Sequence, residues 1–219
     1  MNQLHDGHRE RLRKKFETDA LLEDHEILEL YLFQSIPRCN TNEIAHRLLQ
    51  RFGSIRGVLH ADISSLEEVE GVGHKTAVQL RVASALVSRY LRSSVNTSGI
   101  LNDVSELYLY LQSLFAGIAH ERVYAVLFNA SGRLVGVKQV ANGISFLSDV
   151  AISSLIHDAV KQNAAALLLA HNHPDGLPFP SEQDRRTTFA LRDALRGTGI
   201  RLVEHYVIAG DSCHPTLYE

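Results

Sequence analysis

Hydrophobic residues recur at helical spacing through the first part of the chain. A separation of three or four residues places such side chains on one face of a helix. Two groups of residues show this spacing, and Gly53, a helix stop signal, follows the second of them. The first group is Ile27, Leu28, Leu30 and Tyr31, and the second is Ile44, Ala45, Leu48, Leu49 and Phe52. The pattern predicts amphipathic helices, and we expect residues 1–92 to form a small all-helical domain.

From residue 101 onward, helical and extended patterns alternate. Short apolar runs bounded by turn signals predict buried strands. The predicted helices cover about 104–114, 149–162 and 181–196, and the predicted strands cover 122–128, 133–141, 164–170 and 200–208. This alternation predicts an α/β domain over 101–219, with a mixed sheet flanked by helices. The polar segment 93–100 contains Ser, Asn and Gly and is the predicted linker.

Composition excludes several classes of protein. With 45% hydrophobic and 21% charged residues, the chain of 219 residues is typical of globular proteins. There is no apolar run of about 18 residues, so we expect no membrane span. The N-terminus lacks the apolar core of a signal peptide, and Cys39 and Cys213 do not make a disulfide framework. We therefore expect a cytoplasmic protein.

The most informative segment contains two histidines, a serine and an aspartate. His171 and His173 end a buried strand pattern, where residues i and i+2 point the same way. Seven residues rich in Pro and Gly then form a loop before Ser181, and Asp184 lies one turn into the next helix. Two imidazoles and one carboxylate can hold a divalent ion and leave a fourth position open, as in catalytic zinc sites.

Other interpretations of these residues need no such site. Ser-x-x-Asp before a helix is also a capping box, and a lone His-x-His occurs by chance. Ser181 can cap the helix and still face the metal. The chain has no His-Glu-x-x-His, no Pro-Cys-x-x-Cys and no Gly-x-Ser-x-Gly. A zincin protease, a nucleobase deaminase and a serine hydrolase of the α/β-hydrolase type are therefore disfavoured.

The spacing resembles the JAMM motif of JAB/MPN-plus metalloproteases: an upstream Glu, His-x-His, seven residues, Ser, two residues and Asp. The wider string His171-Asn-His-Pro, the opening Gly7-His8-Arg9 and the segment 26–30 are similar to the RadC family. Asp175 and the C-terminal end depart from that family's usual pattern. The resemblance implies a JAB/MPN fold, similar to that of cytidine deaminase, and a peptide or protein substrate.

The resemblance also implies a role for each matching residue. His171, His173 and Asp184 would hold one zinc ion, Ser181 would support the oxyanion, and Glu121 would be the general base. Glu121 lies 50 residues before His171, just ahead of a predicted strand. It can also be an ordinary charge at a helix-to-strand junction. The alternative bases are Glu106 and Glu204.

A second motif lies in the helical domain. Residues 66–77 resemble a helix-hairpin-helix module, in which Gly71 and Gly73 permit a tight turn. The resemblance makes His74 and Lys75, at the start of the next helix, candidates for contact with a DNA backbone. Residues 71–92 contain no acidic side chain, but residues 1–92 carry 13 basic and 13 acidic side chains. The hairpin can equally be a packing element of the helical domain.

Two functions from different classes follow. The first is a zinc-dependent metallopeptidase or isopeptidase. The second is a DNA-associated repair or recombination factor that binds DNA through the hairpin, with a structural or nucleolytic metal site. A metal-stabilised interaction module is a third possibility. The sequence leaves two interpretations of His205: a residue that supports the metal ligands, or a core histidine with a satisfied hydrogen bond. It assigns no role to Ser212 or His214, and it predicts no oligomeric state.

Overall fold

The computed structural model of the protein describes residues 3–18, 20–37, 39–98, 100, 103–142, 149–174 and 176–217. The chain divides into two compact units, residues 1–86 and 87–219. Within the described residues, no helix is both long and apolar enough to cross a membrane.

The first unit is helical, as the hydrophobic periodicity predicts. Its elements are α1 (Gln3–Glu17), α2 (Asp24–Leu32), α3 (Thr41–Phe52), α4 (Ile55–His60), α5 (Ile63–Glu67) and the first part of α6 (His74–Ser94). Side-chain caps at Asn40, Ser54 and Asp62 accept backbone N–H bonds at the starts of α3, α4 and α5. Gly53 ends α3 in the left-handed conformation, with φ of 79°.

The boundary between the units differs from the predicted linker at 93–100. It falls inside α6, because the helix continues to Ser94 without a break. Val95 and Ile100, the two large apolar residues of the segment 93–100, are buried in the core of the second unit. Gly99 lies outside the described residues.

The second unit is an α/β fold with a mixed five-stranded sheet, so the predicted fold class is confirmed. Its further elements are α7 (Val104–Phe115), β1 (Val123–Phe128), β2 (Leu134–Ala141), α8 (Asp149–Lys161), β3 (Ala166–Asn172), α9 (Glu182–Ala194), β4 (Arg201–Ala209) and β5 (Ser212–Pro215). The strand order is β2-β1-β3-β4-β5. β3 runs antiparallel to β1 and parallel to β4. β5 was not predicted, because four residues of mixed polarity carry no periodic signal.

Strand β3 lies at the centre of the sheet, and all seven of its residues are buried. Leu168 and Ala170 face a core that contains residues of α7, whereas Leu167 and Leu169 face a core that contains residues of α8 and α9. Alternation along the strand places His171 on the face of α9. His171, the second-last residue of β3, therefore faces the helix that carries Asp184.

A β-bulge in β4 changes which of its side chains face α9. Leu167 pairs with Leu202, but Leu169 pairs with His205, so β4 contains one extra residue over this interval. Without the extra residue, Glu204 would occupy the face now taken by His205. The bulge thus brings a second buried histidine beside His171.

Candidate metal centre

Three side chains converge where β3 ends and α9 begins. His171, His173 and Asp184 each offer one ligand atom, and these atoms all lie within 4.8 Å of one another. The Nε2 atoms of the two histidines are 2.9 Å apart, and His171 Nε2 is 3.2 Å from Asp184 Oδ1. β3 supplies His171, the residue after its end supplies His173, and the first turn of α9 supplies the carboxylate. The structure brings together the three residues that the sequence motif singled out.

The two oxygen atoms of the Asp184 carboxylate have different surroundings. Ser181 N donates to Oδ2 at 2.6 Å, and Ser181 Oγ accepts from Asp184 N at 3.2 Å, so the capping box is present. Asp184 is completely buried, and its Oδ1 has no hydrogen-bond partner. A buried carboxylate oxygen without a partner is costly unless a cation balances it. The helix cap and the metal site are therefore compatible, and the residues fit a metal ion.

The charge state of Asp184 agrees with this arrangement. Burial by itself raises the pKa of its carboxyl, but the neighbouring His171 ring and the contacts with Ser181 outweigh burial and hold the pKa below its usual range. The carboxylate is thus anionic at neutral pH. Two imidazoles and one carboxylate form a set of nitrogen and oxygen ligand atoms that could hold a divalent ion.

The Pro- and Gly-rich loop orients His173. The Nδ1 atom of His173 lies 2.9 Å from the carbonyl oxygen of Leu177. A carbonyl oxygen can only accept a hydrogen bond, so Nδ1 must be the donor. The ring proton therefore sits on Nδ1, and Nε2 is free to bind an ion. A Cβ atom on Gly176 would lie 3.1 Å from His173 Cβ, so a side chain at this position would crowd His173. Asp175 lies outside the described residues.

His205 contacts the site directly. Its Nε2 lies 2.7 Å from His171 Nδ1, and its Nδ1 lies 2.6 Å from Thr188 Oγ1. Burial lowers the pKa of His205 well below its ordinary value, so the ring is neutral. The contact with His171 favours the interpretation of His205 as a residue that supports the metal ligands. The sequence pattern does not single out Thr188. The only local signal for Thr188 is its position one turn after Asp184.

Glu121 lies in the segment that leads into β1. Val123 pairs with His171, and the same antiparallel register continued past the strand ends places Glu121 opposite His173. Paired residues point to the same face of a sheet, so this register predicts that Glu121 lies on the face of the metal-binding histidines. Its side chain is half-buried.

Asn172, which lies between the two histidines, holds this segment in place. Its Oδ1 accepts from Arg122 N at 2.8 Å, and its Nδ2 donates to the carbonyl oxygen of His120 at 3.2 Å. The two bonds flank Glu121 on either side. The sequence motif did not reveal Asn172, because a residue between two candidate ligands has no periodicity of its own.

The two alternative bases have other partners. Glu106 lies in the first turn of α7, and its Oε2 accepts from Asn96 N at 3.3 Å. Glu204 is buried, and its Oε1 accepts from the backbone N–H groups of His205, Thr216 and Leu217. Glu204 therefore anchors the C-terminal segment to β4.

Residues of β5 border the loop that leads from β3 to α9. The ring of His214 packs edge-on against Phe179, with centroids 5.0 Å apart. Ser212 begins β5 and is exposed. Ser181 is also exposed at the start of α9, and its hydroxyl oxygen already accepts from Asp184 N. That bond does not use the hydroxyl proton of Ser181, which is therefore available for donation.

The hairpin residues of the first unit have local structural roles. Gly71 has φ of +94°, and a Cβ atom there would lie 2.7 Å from Ile44 Cδ1. A Cβ atom at Gly73 would meet no heavy atom within 4 Å. His74 Nδ1 lies 2.6 Å from Glu67 Oε1, and Lys75 is exposed. Gly71 is thus explained by the turn and by packing alone.

Comparison with known proteins agrees with the fold. The family model of the RadC-like JAB domain, a metal-dependent hydrolase-like fold, matches residues 101–216. A UPF0758 protein of Ruegeria pomeroyi is 34% identical over 203 residues, which cover 92% of this chain and 91% of the relative. A UPF0758 protein of Chromobacterium violaceum is 34% identical over 192 residues, which cover 87% of this chain and 85% of the relative. The chain therefore belongs to the RadC family.

Proposed function

We propose that this protein is a zinc-dependent hydrolase that cleaves peptide or isopeptide bonds. The observation that carries the proposal is the convergence of His171, His173 and Asp184, with Asp184 Oδ1 buried and without a hydrogen-bond partner. A set of two imidazoles and one carboxylate is found in catalytic zinc sites, in which a fourth position remains open for water or substrate.

The spacing of the donor atoms supports zinc. Tetrahedral zinc with nitrogen and oxygen ligands at about 2.0–2.1 Å requires neighbouring ligand atoms to be about 3.3 Å apart. The His171 Nε2 atom is 2.9 Å from His173 Nε2 and 3.2 Å from Asp184 Oδ1. Both distances from His171 Nε2 are close to this value, and all three ligand atoms lie within 4.8 Å of one another. Bound zinc supplies a Lewis acid that polarises a carbonyl and lowers the pKa of water toward neutrality.

The residues around the site divide the remaining chemistry. Glu121 takes a proton from the attacking water while the water oxygen bonds to the carbonyl carbon. The Ser181 hydroxyl donates to the oxyanion that develops on the carbonyl oxygen. Glu121 then returns the proton to the leaving nitrogen as the carbon–nitrogen bond breaks. The products are a carboxylic acid and an amine.

Substitution of Glu121 tests the proposal. The full-length protein is loaded with zinc, its metal content is measured by elemental analysis, and cleavage of peptide and isopeptide-linked substrates is followed by mass spectrometry. Glu121→Gln is expected to keep its zinc and to lose at least about 100-fold in turnover, the usual contribution of a general base. Glu182→Gln is the matched control, because Glu182 is exposed at the start of α9 and bonds Arg186. A zinc-loaded wild type that cleaves no substrate, or a fully active Glu121→Gln, contradicts the proposal.

DNA binding by the hairpin is a second proposal. It is favoured by the absence of acidic residues from 71 to 92 and by the exposed Lys75 at the start of α6. Binding of duplex DNA by wild type and by Lys75→Glu at several salt concentrations tests it. Loss of a phosphate contact is expected to weaken binding to all sequences and to reduce its salt dependence. Equal binding by the two proteins contradicts a role for the hairpin.

A further inference from the structure

A continuous chain of hydrogen bonds connects the backbone of α9 to the metal-binding ring of His171. Thr188 Oγ1 donates to the carbonyl oxygen of Asp184 at 2.6 Å. Thr188 Oγ1 also lies 2.6 Å from His205 Nδ1, and His205 Nε2 lies 2.7 Å from His171 Nδ1. The side chains of Thr188, His205 and His171 are completely buried. Water is therefore excluded from every step of the chain.

Counting protons assigns a direction to each bond. A hydroxyl has one proton, and Thr188 uses it on the carbonyl of Asp184, which can only accept. The contact between Thr188 and His205 therefore requires the proton to be on His205 Nδ1. A neutral imidazole carries one N–H, so His205 Nε2 is an acceptor. The contact at 2.7 Å between the two rings then requires the proton to be on His171 Nδ1.

We propose that Thr188 and His205 are positioning residues that hold the ring proton of His171 on Nδ1 and so present its Nε2 lone pair to the metal. The proposal rests on the metal-dependent function proposed above. Metal-binding histidines commonly donate their second N–H to a carboxylate, a backbone carbonyl or water. Here the acceptor is a second imidazole, whose own proton is directed by a threonine hydroxyl. We refer to these three side chains as the tautomer relay.

The tautomer relay determines whether one of three neighbouring metal-ligand atoms, His171 Nε2, carries a proton. With the ring protons of His171 and His173 both on Nδ1, the two Nε2 atoms face each other at 2.9 Å without a proton between them. Asp184 Oδ1 faces the same space and has no hydrogen-bond partner. Three lone pairs thus face the same space, where a bound cation would stabilise them. Reversal of the relay would place a proton on His171 Nε2 and block that space.

The relay depends on two structural features that lie outside the sequence motif. Thr188 follows Asp184 by one turn, so its hydroxyl reaches the Asp184 carbonyl while its carbon atoms face the core. His205 reaches this face only because of the bulge in β4. A neutral acceptor also adds no negative charge next to His171. The relay therefore orients the ligand and leaves Asp184 as the anionic ligand of the described site.

The test combines tautomer and affinity measurements on the full-length protein. Long-range proton–nitrogen NMR spectra of the histidine rings identify the protonated nitrogen of His171 in the metal-free protein. Zinc affinity is then measured by competition with a coloured chelator. Thr188→Val removes the hydroxyl at constant shape, and Thr188→Ser restores it. Ser113→Ala is the matched control, since the buried Ser113 hydroxyl also bonds a carbonyl within its helix, that of Tyr110.

Wild type is expected to carry the His171 proton on Nδ1. Thr188→Val is expected to lose about 10- to 100-fold in zinc affinity, the usual cost of removing such a supporting contact. Thr188→Ser and Ser113→Ala are expected to bind zinc as wild type does. A proton on His171 Nε2 in wild type, or unchanged zinc affinity in Thr188→Val, overturns the proposal.

A second pair of variants keeps the test decisive if Thr188→Val does not fold. His205→Gln retains one acceptor and one donor, whereas His205→Leu removes both. Zinc affinity is expected to fall more in His205→Leu than in His205→Gln, and equal affinities overturn the relay. The failures are also distinguishable. Zinc binding that follows these expectations without peptide cleavage supports the relay and contradicts the hydrolase, whereas cleavage with unchanged affinities does the reverse.

Discussion

Replacement of Asn172 by alanine separates the positioning of Glu121 from the binding of the metal. The side chain of Asn172 makes two hydrogen bonds to the segment that carries Glu121, one with Arg122 N and one with the carbonyl of His120. It contacts the metal ligands only as their neighbour in sequence. Asn172→Ala therefore frees the segment 120–122 and leaves the three donor atoms in place.

The expected loss of stability follows from the exposure of the two partners. A buried group that loses its partner costs about 1–3 kcal/mol. His120 is exposed and Arg122 is half-buried, so water replaces part of each bond. The lower limit applies, and the total is about 2 kcal/mol. For a unit of this size the melting temperature should fall by roughly 5–10 °C.

The expected loss of activity is larger than this loss of stability suggests. Misplacement of a catalytic group by about 1 Å can cost roughly 100-fold in rate. We expect kcat to fall by about that factor, with zinc content unchanged. The assay is steady-state kinetics on a peptide substrate with elemental analysis of the same samples, at a temperature well below the melting point of both variants.

Asn129→Ala is the matched control for Asn172→Ala. Asn129 follows the other end of β1, where its Oδ1 accepts from Ser131 N at 3.1 Å and from Arg133 N at 3.0 Å. It should lose similar stability and keep its kcat. If Asn172→Ala keeps its kcat within about threefold, or if both variants lose kcat equally, then Asn172 does not position the base.

Two further predictions concern other parts of the molecule. Gly71→Ala should lower the free energy of unfolding by about 2–4 kcal/mol in urea titrations, since the left-handed backbone and the contact with Ile44 Cδ1 both oppose a methyl group. Gly73→Ala should change it by less than about 0.5 kcal/mol, and equal effects would contradict this explanation. Burial raises the pKa of the Cys213 thiol to about 12, so the reactive thiolate forms only as the pH approaches that value. Intact-mass measurements at pH 8 should show Cys213 resistant to alkylation in the folded protein and modified in urea, whereas rapid labelling of the folded protein would refute the prediction.

The helices and most strands could be predicted because their signals are local. The apolar run before His171 predicts a buried strand, and the Pro and Gly residues after it predict a loop. The strand nevertheless continues through His171 and Asn172, because both residues pair with partners in β4. Pairing across a sheet extends a strand beyond its apolar run, and a one-dimensional pattern does not contain that partner.

The unit boundary shows the same limitation in the helical part. Polar residues near 93–100 predict a linker, yet α6 reaches Ser94, and Val95 and Ile100 join the core of the second unit. Composition indicates which residues are polar enough to be exposed to solvent. Whether they meet it depends on what packs against them.

The sequence by itself determined the donor set: two histidines two residues apart, a loop that cannot be helical, and an aspartate in the first turn of a helix. These are consequences of strand alternation, backbone restrictions and helix geometry, which act over a few residues. Only the tertiary structure decided the supporting contacts, because the bulge in β4 turns His205 toward His171 and the side chain of Asn172 bonds the residues on either side of Glu121. Such contacts join residues far apart in the chain, and their formation depends on how separate elements pack together.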